Sequence, residues 1–279
     1  MSPVIVGSES VAAGLVTPYQ LRTRFAAIYP NVYVSNGAEL TAVTRAEAAW
    51  LWSRRRGVVA GRSAAALHGG RWIDSNAPAE LLHDNRHRPR GIRTYADRIA
   101  DDEVVLIRGM AVTTPARTAL DLACRNPIDH AITAIDALAN ATDVKMADVE
   151  LLAQRYSGRR GVTRARSVLE LVDSGSESPR ETWLRLLLVR AGLPPPTTQI
   201  AVYDEFGLII ARLDMGWEDV KIAAEYDGDH PRIDRRQFNR DIARTETLTA
   251  MGWIVVRVTS QDAPGAIVHR IESAFARRV

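Results

Sequence analysis

The spacing of apolar and polar positions splits the chain into a mostly helical first part and a strand-rich second part. Residues 8–33 read as a short helical segment, with Thr17-Pro18 as N-cap and first helical position, running into a strand at Val32-Tyr33-Val34 that stops at Ser35-Asn36-Gly37. Only a weak remnant of a helix-turn-helix fits there. Alanine-rich composition predicts helices over 41–54 and 63–68, the second ending at Gly69-Gly70. Residues 79–112 are strand-like with polar interruptions. Thr114-Pro115 opens another helix, in which Arg117 and Asp121 lie four apart and can pair on one face. Helices over 128–140, 146–156 and 161–173 follow.

Ser174-Gly175-Ser176 breaks this series and marks a boundary between a domain over 1–173 and a second over 177–279. Beyond it, Ser178-Pro179-Arg180-Glu181 has the form of a capping box with proline at the first helical position. Apolar positions Trp183, Leu184, Leu187, Leu188 and Ala191 then recur at helical spacing up to Gly192. Strand-like runs occupy 199–203, 209–215 and 220–226, with a turn at 204–207. A helix capped by Asp234 runs to Met251, Gly252 ends it, 253–258 is a β-branched strand and 263–277 closes as a helix. The order of helix, three strands, helix, strand and helix predicts an α/β (α+β) chain, its second domain a central mixed sheet flanked by helices.

Composition narrows the classes. At 46% hydrophobic and 25% charged over 279 residues, the chain has the make-up of a globular protein of about two domains. It shows neither a leader pattern nor about eighteen consecutive apolar residues, so the expected place is the cytoplasm, with no membrane partner. Cys124, the lone cysteine, excludes an intramolecular disulfide and lies in an apolar helical run, where it reads as a small buried hydrophobe. The net charge of +3 rests on arginine, since Lys145 and Lys221 are the only lysines. Arg54 to Arg56 are adjacent, and Arg155, Arg159, Arg160, Arg164 and Arg166 fall close together with Gly158 and Gly161. Such clusters either hold phosphates or form a solvated face. No GxxxxGK[ST] or GxGxxG pattern occurs, which removes the main support for nucleotide hydrolysis. Trp183 and Trp253 fall at core phases, so packing outweighs base stacking for them.

The chemistry concentrates between the second and third strands. Asp214 ends one strand; Glu225 and Asp227 end its neighbour and, by alternation, share a face. A hairpin can bring Asp214 beside them. Three carboxylates in a small volume repel unless a cation lies among them, and oxygen-only ligation suits Mg²⁺ or Mn²⁺ over zinc. A solvated acidic turn is the plainer alternative. Arg236, Arg240 and Arg244 recur every four residues and could clamp phosphates, or form an exposed face paired with Asp241.

Leu213-Asp214, the run Ala-Glu-Tyr-Asp-Gly-Asp-His over 224–230, Arg240 to Arg244, and Gly-Trp-Ile-Val-Val-Arg over 252–257 together resemble the PD-(D/E)XK nuclease superfamily, and within it the very-short-patch-repair-like endonucleases. The resemblance covers about 177 to the end and implies a restriction-endonuclease-like fold. It further implies that Asp214 and Glu225 hold a metal with Asp227 as third carboxylate, that His230 activates or positions water, and that Glu181 completes the acidic site. The superfamily's lysine would fall at position 227, which is Asp227 here. Lys221, on the same face as Glu225 but about 13 Å away, cannot replace it.

Arg62-Ser63-Ala64-Ala65-Ala66-Leu67-His68-Gly69 and the segment from Thr114 to Ala123 resemble AbiEi-type antitoxins, over roughly 11–171. In that family a winged helix-turn-helix comes first and binds DNA; the segment ahead of Tyr33 is short for a complete one. Ser63 and His68, five apart on a helix, do not suit a hydrolase pair. Two functional expectations follow. One is a Mg²⁺-dependent DNA endonuclease of defence or repair; the other is a non-catalytic DNA-binding antitoxin or transcriptional regulator with an inactive nuclease fold. DNA is the expected partner of either, and a homodimer or a partner protein remains open. Loss of the lysine favours the second expectation; the carboxylates and His230 favour the first.

Overall fold

The structure, a computed structural model, describes residues 4–85, 87–228 and 235–278, with the backbone alone for 235–240. The expected α/β class holds: helix accounts for 43% and strand for 21%, with no closed barrel among the described residues. The chain divides into two compact units, Met1–Val172 and Asp173–Val279.

The first unit begins with β1 (Val4–Val6), α1 (Gly7–Ala12), α2 (Pro18–Arg24), β2 (Phe25–Tyr29), β3 (Val32–Ser35) and α3 (Ala42–Trp52). It continues through β4 (Val58–Val59), α4 (Gly61–Leu67), β5 (Ala79–Leu82), β6 (Ile92–Tyr95), β7 (Val104–Ile107) and β8 (Met110–Thr113). It closes with α5 (Pro115–Arg125), α6 (Ile128–Ala141), α7 (Met146–Arg155) and α8 (Val162–Leu169). Side-chain caps start the helices where the sequence predicts. Thr17 forms a complete capping box with Gln20 ahead of Pro18, and Thr114 accepts the Arg117 N–H ahead of Pro115. One sheet runs β1-β3-β2, the other β6-β5-β4-β8-β7. The first was only partly foreseen, because β1 is three residues long and gains its apolar setting from β3 across the chain. The helix expected over 161–173 stops at Leu169.

A buried ionic cluster ties this unit together. Arg117 of α5 is 1% exposed and binds both Glu103 and, at 2.9 Å, Asp121. Glu103 also accepts from the Tyr156 hydroxyl (2.7 Å) and Arg155 (2.9 Å). The predicted pair of Arg117 and Asp121 thus exists, but inside the unit. A buried guanidinium needs such company, since an unpaired charge there costs several kcal/mol, of order 3–5.

The second unit contains α9 (Pro179–Arg190), β9 (Thr197–Tyr203), β10 (Ile209–Trp217), β11 (Ile222–Tyr226), α10 (Arg235–Ala250), β12 (Ile254–Val258) and α11 (Pro264–Ala276). Its sheet runs β12-β11-β10-β9, with β11 and β12 parallel and the other pairs antiparallel. One apolar cluster joins Leu184 and Leu188 of α9 to Met215, Ile222 and Val256 and to Ile267 and Ile271 of α11. Another joins Ile200, Leu213 and Ala223 to Leu248 of α10 and to Trp253. Trp217 packs edge-on against Phe275 at 4.9 Å between ring centres, and Trp253 is buried, so both serve the core. Strands β10 and β11 approach closely at Gly216, where a Cβ would lie 2.3 Å from the Ile222 carbonyl oxygen.

Candidate functional site

Strand pairing in the second unit sets the acidic site. The β10–β11 register pairs Met215 with Ala224; one residue further, Asp214 stands against Glu225, and directly opposed residues of an antiparallel pair point to the same side. Asp214 lies within β10, not at its end as the sequence suggested. On the other side of β11, Glu225 is in register with Arg257 of β12. These strands bound a small pocket of about 230 Å³ lined by Asp214, Glu225, Asp227 and Asp241 together with Arg212, Arg244 and Arg257. The three expected carboxylates are therefore brought together. Arg212 could have been found from its place two residues before Asp214 on the same strand face; Arg257 and Asp241 needed the sheet and α10 to be in place.

The electrostatics differ from the expectation. Among the lining residues four carboxylates meet three guanidiniums, and one of these, Arg244, is held on a carboxylate of the pocket. Arg244 makes the decisive contact. Its Nη1 donates to Glu225 Oε2 at 3.1 Å, its Nη2 donates to Glu225 Oε1, and Nη2 also reaches the Arg212 carbonyl at 3.0 Å. Glu225 is 9% exposed, and this fork engages both its oxygens. Arg244, placed by the sequence in a phosphate-clamping series, is thus turned onto a carboxylate. The side chains of Arg236 and Arg240 lie outside the described residues, as does His230.

Asp214 accepts the Tyr226 N–H at 2.8 Å on Oδ2. Burial pushes its carboxyl up to about 7, with the charges of Glu181 and Glu225 adding to the rise and the Tyr226 N–H and Arg244 opposing it. Glu181 acts in the capping arrangement of α9. It receives the Ser178 hydroxyl at 2.8 Å and the Glu177 N–H at 2.9 Å, one residue earlier than a strict capping box requires. Asp227 is held through its N–H, which donates to the Val258 carbonyl at 2.7 Å.

This donor set does not fit a divalent metal in the arrangement described. Both Glu225 oxygens are engaged by Arg244. Among the described residues no three His, Cys, Asp or Glu side chains are gathered so as to hold a metal ion.

Other sequence candidates resolve plainly. The Ser63 hydroxyl accepts the Glu80 N–H, whereas His68 Nε2 meets the Thr113 carbonyl at 2.7 Å, so the two do not form a pair. Burial pushes the Cys124 thiol up, as suits an inert buried cysteine. Several clustered arginines are internally engaged: Arg55 with Glu9, Arg155 with Asp102 and Glu103, and Arg166 with Glu150.

Comparison with known proteins bears on the first unit more than on the second. The chain is 30% identical over 168 residues to an uncharacterised protein of Mycobacterium tuberculosis strain CDC 1551 / Oshkosh, and equally to one of strain ATCC 25618 / H37Rv. The matched stretch covers 59% of this chain and 62% of each of theirs, so the chain spans less than two thirds of these relatives. No solved structure matches. No helix among the described residues is long and apolar enough to cross a membrane. These comparisons lend no support to the nuclease resemblance of the second unit. The family match falls instead on the part of the first unit that holds the buried Arg117 cluster: residues 57–171 match the AbiEi antitoxin C-terminal domain.

Proposed function

We propose that this chain is a non-catalytic, antitoxin-type regulator that binds DNA and neutralises a partner toxin. The observation that carries this reading is the antitoxin-domain match over 57–171. The pocket of the second unit supports it: with Arg244 forked onto Glu225, a carboxylate that a nuclease would need for its metal is committed to an internal ion pair. The second unit then serves as a folded, non-catalytic domain.

One observation favours the rival reading, a Mg²⁺-dependent endonuclease. Asp214, Glu225 and Asp227 line a single pocket. The two readings separate in one experiment. The intact chain and its Asp214→Asn variant are incubated with duplex DNA taken from upstream of its own reading frame, with and without Mg²⁺ or Mn²⁺. The regulator reading expects a mobility shift with both proteins and intact DNA throughout. Metal-dependent cleavage that disappears in the variant would overturn it. In cells, growth arrest by a toxin encoded beside the chain should be relieved by co-expression, and persistent arrest would count against the antitoxin role.

A further inference from the structure

The arginines of the first unit supply more positive charge than its internal ion pairs consume. Beside β6, the end of α5 and the start of α8 lies a pocket of about 780 Å³, large enough for a nucleotide-sized ligand. Arg93, Arg125, Arg159, Arg160 and Arg164 line it, against Asp97 as the carboxylate on its wall. Two of these arginines are already answered. Arg125 and Arg159 both donate to Asp97, at 2.6 and 2.7 Å, and both reach the fully buried Asp121. Two carboxylates thus offset two guanidiniums; Arg93 bonds Tyr95 and is coupled to the buried Glu80, and the charges of the exposed Arg160 and Arg164 remain toward the opening.

The pocket is built rather than incidental. Arg125 is fixed over the Tyr95 ring at 3.7 Å, and Arg164 donates to the Cys124 carbonyl at 2.7 Å. Gly161 adopts φ 88°, and a Cβ there would lie 2.5 Å from the same Cys124 carbonyl oxygen. Only glycine lets this loop close on the end of α5 and carry Arg160 to the rim. A neighbouring cavity shares Asp97 and Arg159 and adds the exposed Arg98, which extends the basic surface.

We propose that this arginine pocket binds a phosphate-bearing ligand, the phosphates being those of a nucleic-acid backbone or of a free nucleotide. Guanidinium forks match phosphate oxygens in geometry and charge. Its nucleic-acid arm deepens the DNA-binding part of the proposed function and rests on that reading, whereas the free-nucleotide arm rests on the pocket alone.

The test uses the full chain, with ATP and pyrophosphate titrated by calorimetry and a fluorescent duplex followed by anisotropy at several salt concentrations. The variant is Arg160→Ala/Arg164→Ala, which leaves the Asp97 and Asp121 pairs intact; Arg88→Ala/Arg90→Ala, exposed elsewhere, removes equal charge as control. The expected result is binding weakened about tenfold or more in the pocket variant and not in the control. Weakened ATP binding with unchanged duplex binding assigns the site to a free nucleotide. Weakened duplex binding, with the salt slope reduced by about two, assigns it to a phosphodiester backbone. Should the double variant melt early, Arg160→Glu carries the test, because Arg160 lies outside the ion pairs above. The proposal fails if no probe binds, if the pocket variants bind as tightly as the parent, or if the control loses as much.

Discussion

Burial holds the carboxyl of Asp214 up to about 7, so its ionisation bears on stability near neutral pH. A carboxyl raised above its unfolded value keeps its proton in the folded state while the unfolded chain has already lost it. Stability therefore falls as pH rises from about 4 to about 7 and levels off above that. Asp214→Asn removes the penalty, and thermal melts should show the variant more stable than the parent at pH 8, by about 2–4 kcal/mol, with the gain vanishing near pH 4. Equal melting at both pH values would contradict the raised carboxyl. The partner residue makes the opposite prediction. Arg244→Ala leaves Glu225 buried without its fork and should cost about 2–4 kcal/mol at neutral pH, a loss that adding Glu225→Gln largely restores. Denaturant unfolding of the two variants and the parent measures that coupling.

At the scale of elements, helix α5 and strand β10 carry the folds of their units. Helix α5 presents Arg117 to Glu103 and Asp121 inside the first unit, so Arg117→Met removes the buried cation that both carboxylates share, leaving them their outer partners alone, and should lower its stability by about 3 kcal/mol. Strand β10 needs Gly216 for its approach to β11. Gly216→Ala puts a methyl group against the Ile222 carbonyl and should cost more than about 1 kcal/mol, read as an earlier melt and weaker amide protection over β10 and β11. Much of this level was legible in the sequence. Thr17, Thr114 and Ser178, each followed by proline, announced helix starts by a local hydrogen bond that depends on no distant residue. Strand β1 was not, because three residues carry too little pattern and take their burial from β3.

For the whole molecule, two compact units with separate apolar clusters predict two unfolding events. Scanning calorimetry should resolve two transitions, with Arg117→Met lowering one and Gly216→Ala the other. A single transition moved equally by both variants would show that the units unfold as one. The antitoxin-domain match over 57–171 lies within the first of these units.

The sequence by itself determined the α/β class, the order of elements in the second unit and the gathering of Asp214, Glu225 and Asp227, because hydrophobic period, caps and strand alternation are local properties. Only the tertiary structure decided what those carboxylates face. Helix α10 folds back over the sheet and delivers Arg244, nineteen residues from Glu225 along the chain, onto both its oxygens. Spacing within one helix fixes which arginines share a face, but charge partners across elements are set by packing, and here packing turned an expected phosphate clamp into an internal counter-ion.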